Sequence, residues 1–203
     1  MPLLEGYLTG LALIVLIGPV LFVLVQSTLE RGRGHGFAVA LGIFVSDVIA
    51  VSICGLGAAA FLDDPRSKPL LALGGAIVVL ALGLRYVLAP AVTMKPDESP
   101  TAASWAGFFA RGFLVNFVNP FVFMVWLGII GAAGARHGYD GDLIWFMGGA
   151  VLGVLTLDSL KVLLAHRLRP LLRPKALRIV FRVSGLLLVG FGVRLLAFAG
   201  WSV

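Results

Sequence analysis

Two acidic residues, Asp47 and Asp158, stand within long apolar segments of the sequence. An unpaired charge in an apolar interior costs roughly 3 kcal/mol or more, so each acid needs a functional or structural reason. As functional groups, both would act as proton-coupling or cation-binding carboxylates. Asp158 has a structural alternative, because Lys161 lies three residues later on the same helical face and can neutralise it. Asp47 has no basic residue within helical reach in its own segment.

Two prolines interrupt apolar segments, in the pairs Gly18-Pro19 and Asn119-Pro120. Proline removes an amide donor and clashes with the carbonyl four residues earlier, so we expect a kink or break in each helix. The freed backbone groups and half-helix N-termini suit a carboxylate and an ammonium, and therefore a zwitterionic amino acid. Asn116 and Asn119 would add side-chain donors and acceptors beside the second break. The alternative is a pair of ordinary packing kinks.

The hydropathy of the chain shows what kind of element must position these residues. Of the 203 residues, 60% are hydrophobic and 13% are charged, and the mean hydropathy is +1.03, so no water-soluble surface can be assembled. Backbone groups in lipid must be satisfied within their own segment, which favours α-helices. The sequence therefore predicts an all-α membrane protein with six transmembrane helices, over approximately 6–26, 36–62, 69–89, 107–133, 143–165 and 177–200. The first segment has no basic residues before it, so we expect a membrane helix rather than a signal peptide.

The basic residues behind the formal charge of +6 are best explained as signals that orient the helices in the membrane. Basic residues concentrate in alternate loops, and no aromatic-basic pattern accompanies them, so we expect no nucleic-acid partner. The positive-inside rule places loops one, three and five in the cytoplasm and both termini outside. The residues assigned to the cytoplasmic side are Arg31, Arg33, Lys95, Arg111, Arg167, Arg169, Arg173, Lys175, Arg178 and Arg182, against Arg66, Lys68 and Arg136 on the other side.

Sequence marks recur in the two halves of the chain. Pro19 and Pro120 each begin a Pro-x-x-Phe pattern, and Asp47 and Asp158 each end a Leu-Gly-x-x-x-x-Asp pattern. Because the same short motifs occur in the same order in both halves, we predict an internal duplication. Because each repeat crosses the membrane an odd number of times, the second copy must be inverted relative to the first, as in alternating-access carriers.

The division of the chain follows from this repeat. Residues 1–92 form the first three-helix repeat, 93–105 a cytoplasmic linker, and 106–203 the second three-helix repeat, together making one transmembrane domain. The linker contains Met-Lys-Pro-Asp-Glu-Ser-Pro, a composition typical of flexible connections.

Two stretches of the sequence resemble a known family. Residues 18–27 (Gly-Pro-Val-Leu-Phe-Val-Leu-Val-Gln-Ser), followed by Arg-Gly at 31–32 and by Ala-Leu-Gly at 40–42 with Ser-Asp at 46–47, resemble the opening repeat of the lysine exporter (LysE) family. Residues 112–120 are similar to the fourth-span motif of that family. The resemblance implies a six-span exporter of amino acids, generally driven by the proton gradient, with roles for the Gly18-Pro19 break, Asp47 and the Asn119-Pro120 break. Many of these exporters have Asn or Gln after the first proline, whereas this chain has Val20, which leaves the particular substrate open.

The predicted function is therefore a secondary transporter that exports amino acids or similar small zwitterions by proton antiport. We expect Gly18, Pro19, Asn116, Asn119 and Pro120 to bind substrate, and the two aspartates to couple protons. The expected location is a bacterial-type plasma (inner) membrane, with an amino acid, protons and lipid as partners.

Several alternatives remain beside this prediction. They are an exporter of small cations or metal ions, a membrane-embedded enzyme, and a helper subunit. The chain lacks the His-Glu-x-x-His and Gly-x-Ser-x-Gly motifs, and its histidines lack metal-ligand spacing, so we expect no enzyme activity, cofactor or metal site. Small-residue faces such as Gly149-x-x-x-Gly153 are compatible with a homodimer and equally with packing inside one bundle.

Overall fold

The computed structural model of the protein describes residues 1–13, 19–63, 68–88, 104–138, 141–168 and 174–201. Within these ranges the chain is helical and contains no strand, which confirms the predicted all-α class. Gly18 and most of the predicted linker, 93–103, lie outside the described residues. The helices are α1 (Pro2–Ala12), α2 (Pro19–Arg31), α3 (Arg33–Asp63), α4 (Lys68–Leu88), α5 (Trp105–Phe117), α6 (Pro120–His137), α7 (Gly141–Leu163), α8 (Ala165–Leu168) and α9 (Pro174–Trp201).

Three helical stretches are long and apolar enough to cross a membrane: 33–56 within α3, α6 and α7. A shorter apolar stretch, 75–88, lies in α4. Large apolar side chains point outward from these helices, and Leu56 is 75% exposed while Ile144 is 73% exposed. Such surfaces are stable against lipid rather than water. The chain is therefore a helical membrane protein, and the count of six spans stays a prediction.

Each of the two predicted interruptions coincides with the start of a helix. Pro120 is the first residue of α6, and α5 ends at Phe117, so Val118 and Asn119 separate two helices. Proline suits the first helical position, because its missing N–H has no partner there in any helix. Pro19 is likewise the first residue of α2. At Pro120 the chain therefore forms two separate helices instead of one continuous bent helix.

Glycines bring three pairs of helices into backbone contact: α1 with α7, α3 with α5, and α4 with α9. A Cβ atom on Gly42 would lie 2.1 Å from the carbonyl oxygen of Phe109, a distance that real Cβ atoms do not show. Small residues permit this close approach, and van der Waals contact then holds helices together in lipid. The other glycines with such contacts include Gly10 and Gly153 between α1 and α7, Gly112 between α5 and α3, and Gly83 and Gly185 between α4 and α9.

Two buried clusters lie on either side of the α5–α6 break. One joins α2, α3 and α5 through side chains such as Phe22, Val39 and Phe108. The other joins α3, α6 and α7 through side chains such as Trp126 and Met147. The helix α3 contributes to both clusters, and α7 packs against it. Asp47 of α3 and Asp158 of α7 lie together with Asn119 beside the break.

Candidate functional site

A cavity of about 100 Å³ lies at the interruption between α5 and α6. This volume is several times what one buried water needs. Most of its wall is apolar, with Val122, Val125 and Val154 among the side chains that line it. Its polar lining comes from four parts of the chain: Asp47 on α3, Asn116 on α5, Asn119 and Trp126 at and after the break, and Asp158 and Lys161 on α7.

Asp47 is held by neutral donors from two different helices. Its side chain is buried, and its Oδ1 accepts hydrogen bonds from Asn116 Nδ2 at 2.8 Å and from Trp126 Nε1 at 3.0 Å. Asn116 also donates to the Ser46 hydroxyl at 3.1 Å. Asn116 lies in the last turn of α5 and Trp126 in the second turn of α6, so the break sets the distance between the two donors. The carboxyl group therefore has a fixed orientation without a hydrogen-bonded cation among the described residues.

Asp158 has a charged partner. Its Oδ1 lies 2.9 Å from the ammonium nitrogen of Lys161, one turn later on α7. The side chains are largely enclosed, at 6% exposed for the acid and 17% for the lysine. The alternative in which Lys161 neutralises Asp158 is thus realised in the structure. Both residues line the same cavity as Asp47.

Asn119 caps the N-terminus of α6 where that helix meets the cavity. Its Oδ1 accepts a hydrogen bond from the Phe121 amide at 3.1 Å and another from the Tyr86 hydroxyl at 3.3 Å. Phe121 and Val122 also line the cavity, so the first turn of α6 faces it. The N-terminal end of a helix carries a partial positive charge, and that charge attracts an anionic group placed near it.

Most of the site residues expected from the sequence come together here. Asp47, Asp158, Asn116 and Asn119 all line the cavity. Pro120 immediately follows Asn119 and starts α6. Of the first break, Pro19 starts α2 and the next two residues, 20–21, line the cavity, whereas Gly18 lies outside the described residues.

Sequence reasoning missed two members of the hydrogen-bond network. Trp126 bonds to Asp47 across a separation of 79 residues, and Tyr86 reaches Asn119 across 33 residues. A tryptophan or tyrosine in an apolar segment is ordinary in a membrane helix, so no local signal marked either one. For Lys161 the sequence predicts only a neutralising contact with Asp158, whereas the structure also places it in the lining of the cavity.

The described part of the chain contains no group of three or more His, Cys, Asp or Glu residues that could hold a metal ion. The cavity combines two carboxyl groups, one ammonium, amide groups and an apolar wall. Such a set can bind a small molecule that carries both polar and apolar parts, because charged and amide groups fix its orientation while the wall removes its apolar part from water.

Comparisons with known proteins agree with this description. The family model described as LysE type translocator matches residues 11–198. The chain is 29% identical over 186 residues to the Bacillus subtilis (strain 168) protein named "Putative amino acid efflux protein YcgF", covering 90% of this chain and 89% of that protein. It is 26% identical over 116 residues to proteins named leucine efflux protein in Salmonella typhimurium and Salmonella typhi, covering 56% of this chain and 55% of each. No solved structure matches the chain.

Proposed function

Because this chain belongs to the LysE type translocator family, we propose that it exports amino acids or similar small zwitterions across a bacterial-type inner membrane by proton antiport. The observation that carries the proposal is the cavity at the break between α5 and α6, which Asp47 and Asp158 both line. Buried acids are costly in a membrane helix, and they characteristically mark proton and substrate pathways.

The lining of the cavity fits an amino acid with an apolar side chain. A carboxylate such as that of Asp47 pairs with an ammonium group, and the N-terminus of α6 favours a carboxylate. The valines at 122, 125 and 154 provide an apolar surface for the side chain. Relatives named leucine efflux protein support a neutral, apolar amino acid as the substrate.

Competition for one carboxyl group provides the coupling between substrate and proton. The substrate ammonium and a proton cannot both occupy Asp47, because each satisfies the same negative charge. When the cavity opens outward, a proton displaces the substrate from Asp47, and when it opens inward, the proton leaves and a new substrate binds. Export is then driven by the proton gradient, because the proton enters as the substrate leaves.

Alternating access would come from two inverted repeats, 1–92 and 106–203, joined by the linker 93–105. The packing of α1 on α7 and of α5 on α3 supports this proposal, since each pair combines a helix of one half with a helix of the other. Related contacts in both pairs are made by matching glycines, Gly153 in α7 and Gly42 in α3. The distribution of basic residues supports a cytoplasmic linker and termini on the outer side.

Counterflow in proteoliposomes tests the proposal. Purified protein is reconstituted into vesicles preloaded with amino-acid mixtures, beside Asp47→Asn, Pro120→Ala and the control Asp142→Asn, which changes an exposed acid at the start of α7. We expect exchange of a neutral amino acid in the wild type and the control, loss of exchange in Asp47→Asn, and reduced exchange in Pro120→Ala. A proton ionophore should abolish accumulation that a pH gradient drives. Absence of exchange with every amino acid, from protein shown to be folded, would contradict amino-acid export.

A further inference from the structure

Lys161 presents a primary ammonium to the cavity. Its nitrogen lies 2.9 Å from Asp158 Oδ1, and this is the one hydrogen bond that the described residues give it. A lysine ammonium has three N–H donors. The side chain is 17% exposed and lines the cavity, so its remaining donors are available to a molecule bound there. Buried donors of a charged group are stable only when oxygen acceptors or water satisfy them.

A purely structural role does not explain a buried ion pair at this place. Removing two charges from water can cost more than their mutual attraction returns, and apolar replacements of similar size are often equally stable. In lipid the same pair is costlier to insert than two apolar residues. The position of the pair at the cavity wall therefore favours a role in binding.

We propose that Lys161 binds the carboxylate of the substrate and thereby makes the carrier selective for amino acids over simple amines. Asp158 is a positioning residue, which holds the ammonium at the cavity wall. The first turn of α6 faces the same cavity and adds its partial positive charge. Asp47, with neutral donors, remains the partner for the substrate ammonium. This assignment rests on the proposed export of amino acids.

The two ends of a zwitterion would then bind to different helices. The ammonium would contact α3 through Asp47, and the carboxylate would contact α7 through Lys161. A molecule that lacks the carboxylate would leave Lys161 without its substrate contact, and a molecule that lacks the ammonium would leave Asp47 without its own. Sites built to hydrogen-bond a given group discriminate strongly against analogues that lack it, because their own buried polar groups are then left unpaired.

Three ligands with the same apolar part separate these roles. They are L-leucine, 3-methylbutylamine, which lacks the carboxylate, and 4-methylpentanoate, which lacks the ammonium. Binding is measured as the ligand-dependent rise in the unfolding temperature of detergent-purified protein, from which an apparent Kd follows. L-leucine exchange in proteoliposomes is measured on the same preparations.

We expect Lys161→Met to weaken binding of L-leucine and 4-methylpentanoate at least about ten-fold, the loss of one charge-assisted contact, while 3-methylbutylamine binds as in the wild type. Lys161→Arg, which keeps the charge, should retain much of the L-leucine binding. Asp47→Asn should show the converse pattern, with the amine losing most. If Lys161→Met does not fold, the double variant Asp158→Asn/Lys161→Met removes both charges and should show the same selective loss.

Equal weakening of all three ligands in the Lys161 variants would assign the lysine a structural role and overturn the proposal. So would unchanged L-leucine exchange in folded Lys161→Met or in the double variant. Either result leaves amino-acid export intact, because the wild type still exchanges L-leucine. A wild type that exchanges no amino acid contradicts the proposed function itself.

Discussion

Replacing Trp126 with Phe removes one hydrogen bond from Asp47 and keeps an aromatic ring in the core. The indole Nε1 lies 3.0 Å from Asp47 Oδ1, and the tryptophan side chain is 2% exposed. Interhelical hydrogen bonds in membrane proteins contribute about 0.6 kcal/mol on average. A bond to a charged group contributes about 1.5–3 kcal/mol. The loss of stability in Trp126→Phe therefore reports whether the Asp47 side chain is ionised.

A double-mutant cycle isolates this bond from the packing cost of the smaller ring. Trp126→Phe is made in the wild type and in Asp47→Ala, and the free energy of unfolding is measured in detergent by denaturant titration. In the Asp47→Ala background there is no acceptor, so only the packing cost remains. At a pH high enough to ionise Asp47, we expect a coupling of about 1.5–3 kcal/mol, the range for an ionised acceptor. We also expect slower amino-acid exchange in Trp126→Phe.

The matched control for this prediction is Trp145→Phe, because Trp145 lies on α7 and is 65% exposed. It should leave both stability and exchange close to the wild-type values. A coupling near zero between positions 126 and 47, with exchange unchanged in Trp126→Phe, would refute the role of Trp126 in orienting the acid.

Two further predictions concern the helices that frame the cavity. Gly42→Ala places a Cβ against the Phe109 carbonyl and should lower the free energy of unfolding in detergent by about 1–3 kcal/mol. Gly55→Ala on the same helix meets nothing within 4 Å and should not destabilise the protein, so equal effects of the two substitutions would contradict the close contact at Gly42. Asn119→Ala removes the cap of α6 and should lower the free energy of unfolding by about 0.5–2 kcal/mol and slow amino-acid exchange. Ser104→Ala removes the cap of α5, away from the cavity, and should lower stability without slowing exchange. Unchanged exchange in Asn119→Ala would argue against a role for the α6 cap at the site.

The sequence predicted the elements of this site because its strongest signals are local. Hydropathy over a segment defines a membrane helix, and a proline sets where a helix begins. Pro120 was therefore expected to interrupt a span, and it starts α6. Asp47 and Asp158 were expected to matter because an acid in an apolar segment is costly wherever its partners lie. Both acids line the same cavity.

The partners of these acids were predictable only when they lay on the same helix. Lys161 lies one turn from Asp158, and the spacing alone predicts their contact. Trp126 reaches Asp47 from another helix, and that contact depends on how α3 and α6 pack. Helix packing in lipid depends on how small residues on two helices fit together. The sequence of one helix alone does not determine that fit.

The two aspartates occupy matching positions of the repeated Leu-Gly-x-x-x-x-Asp pattern and yet have different partners. Asp47 receives neutral N–H groups from Asn116 and Trp126, whereas Asp158 is paired with the ammonium of Lys161. A carboxyl group held by neutral donors can exchange a proton for a substrate ammonium without displacing a cation of the protein. A carboxyl group already neutralised by a lysine cannot do so as readily, and it can instead fix that lysine toward an anion. Under the proposed duplication, matching positions in the two repeats would place both acids at the cavity. Their different partners would then give them different roles: Asp47 binds the ammonium of the substrate, and Asp158 holds Lys161, which binds the carboxylate of the substrate.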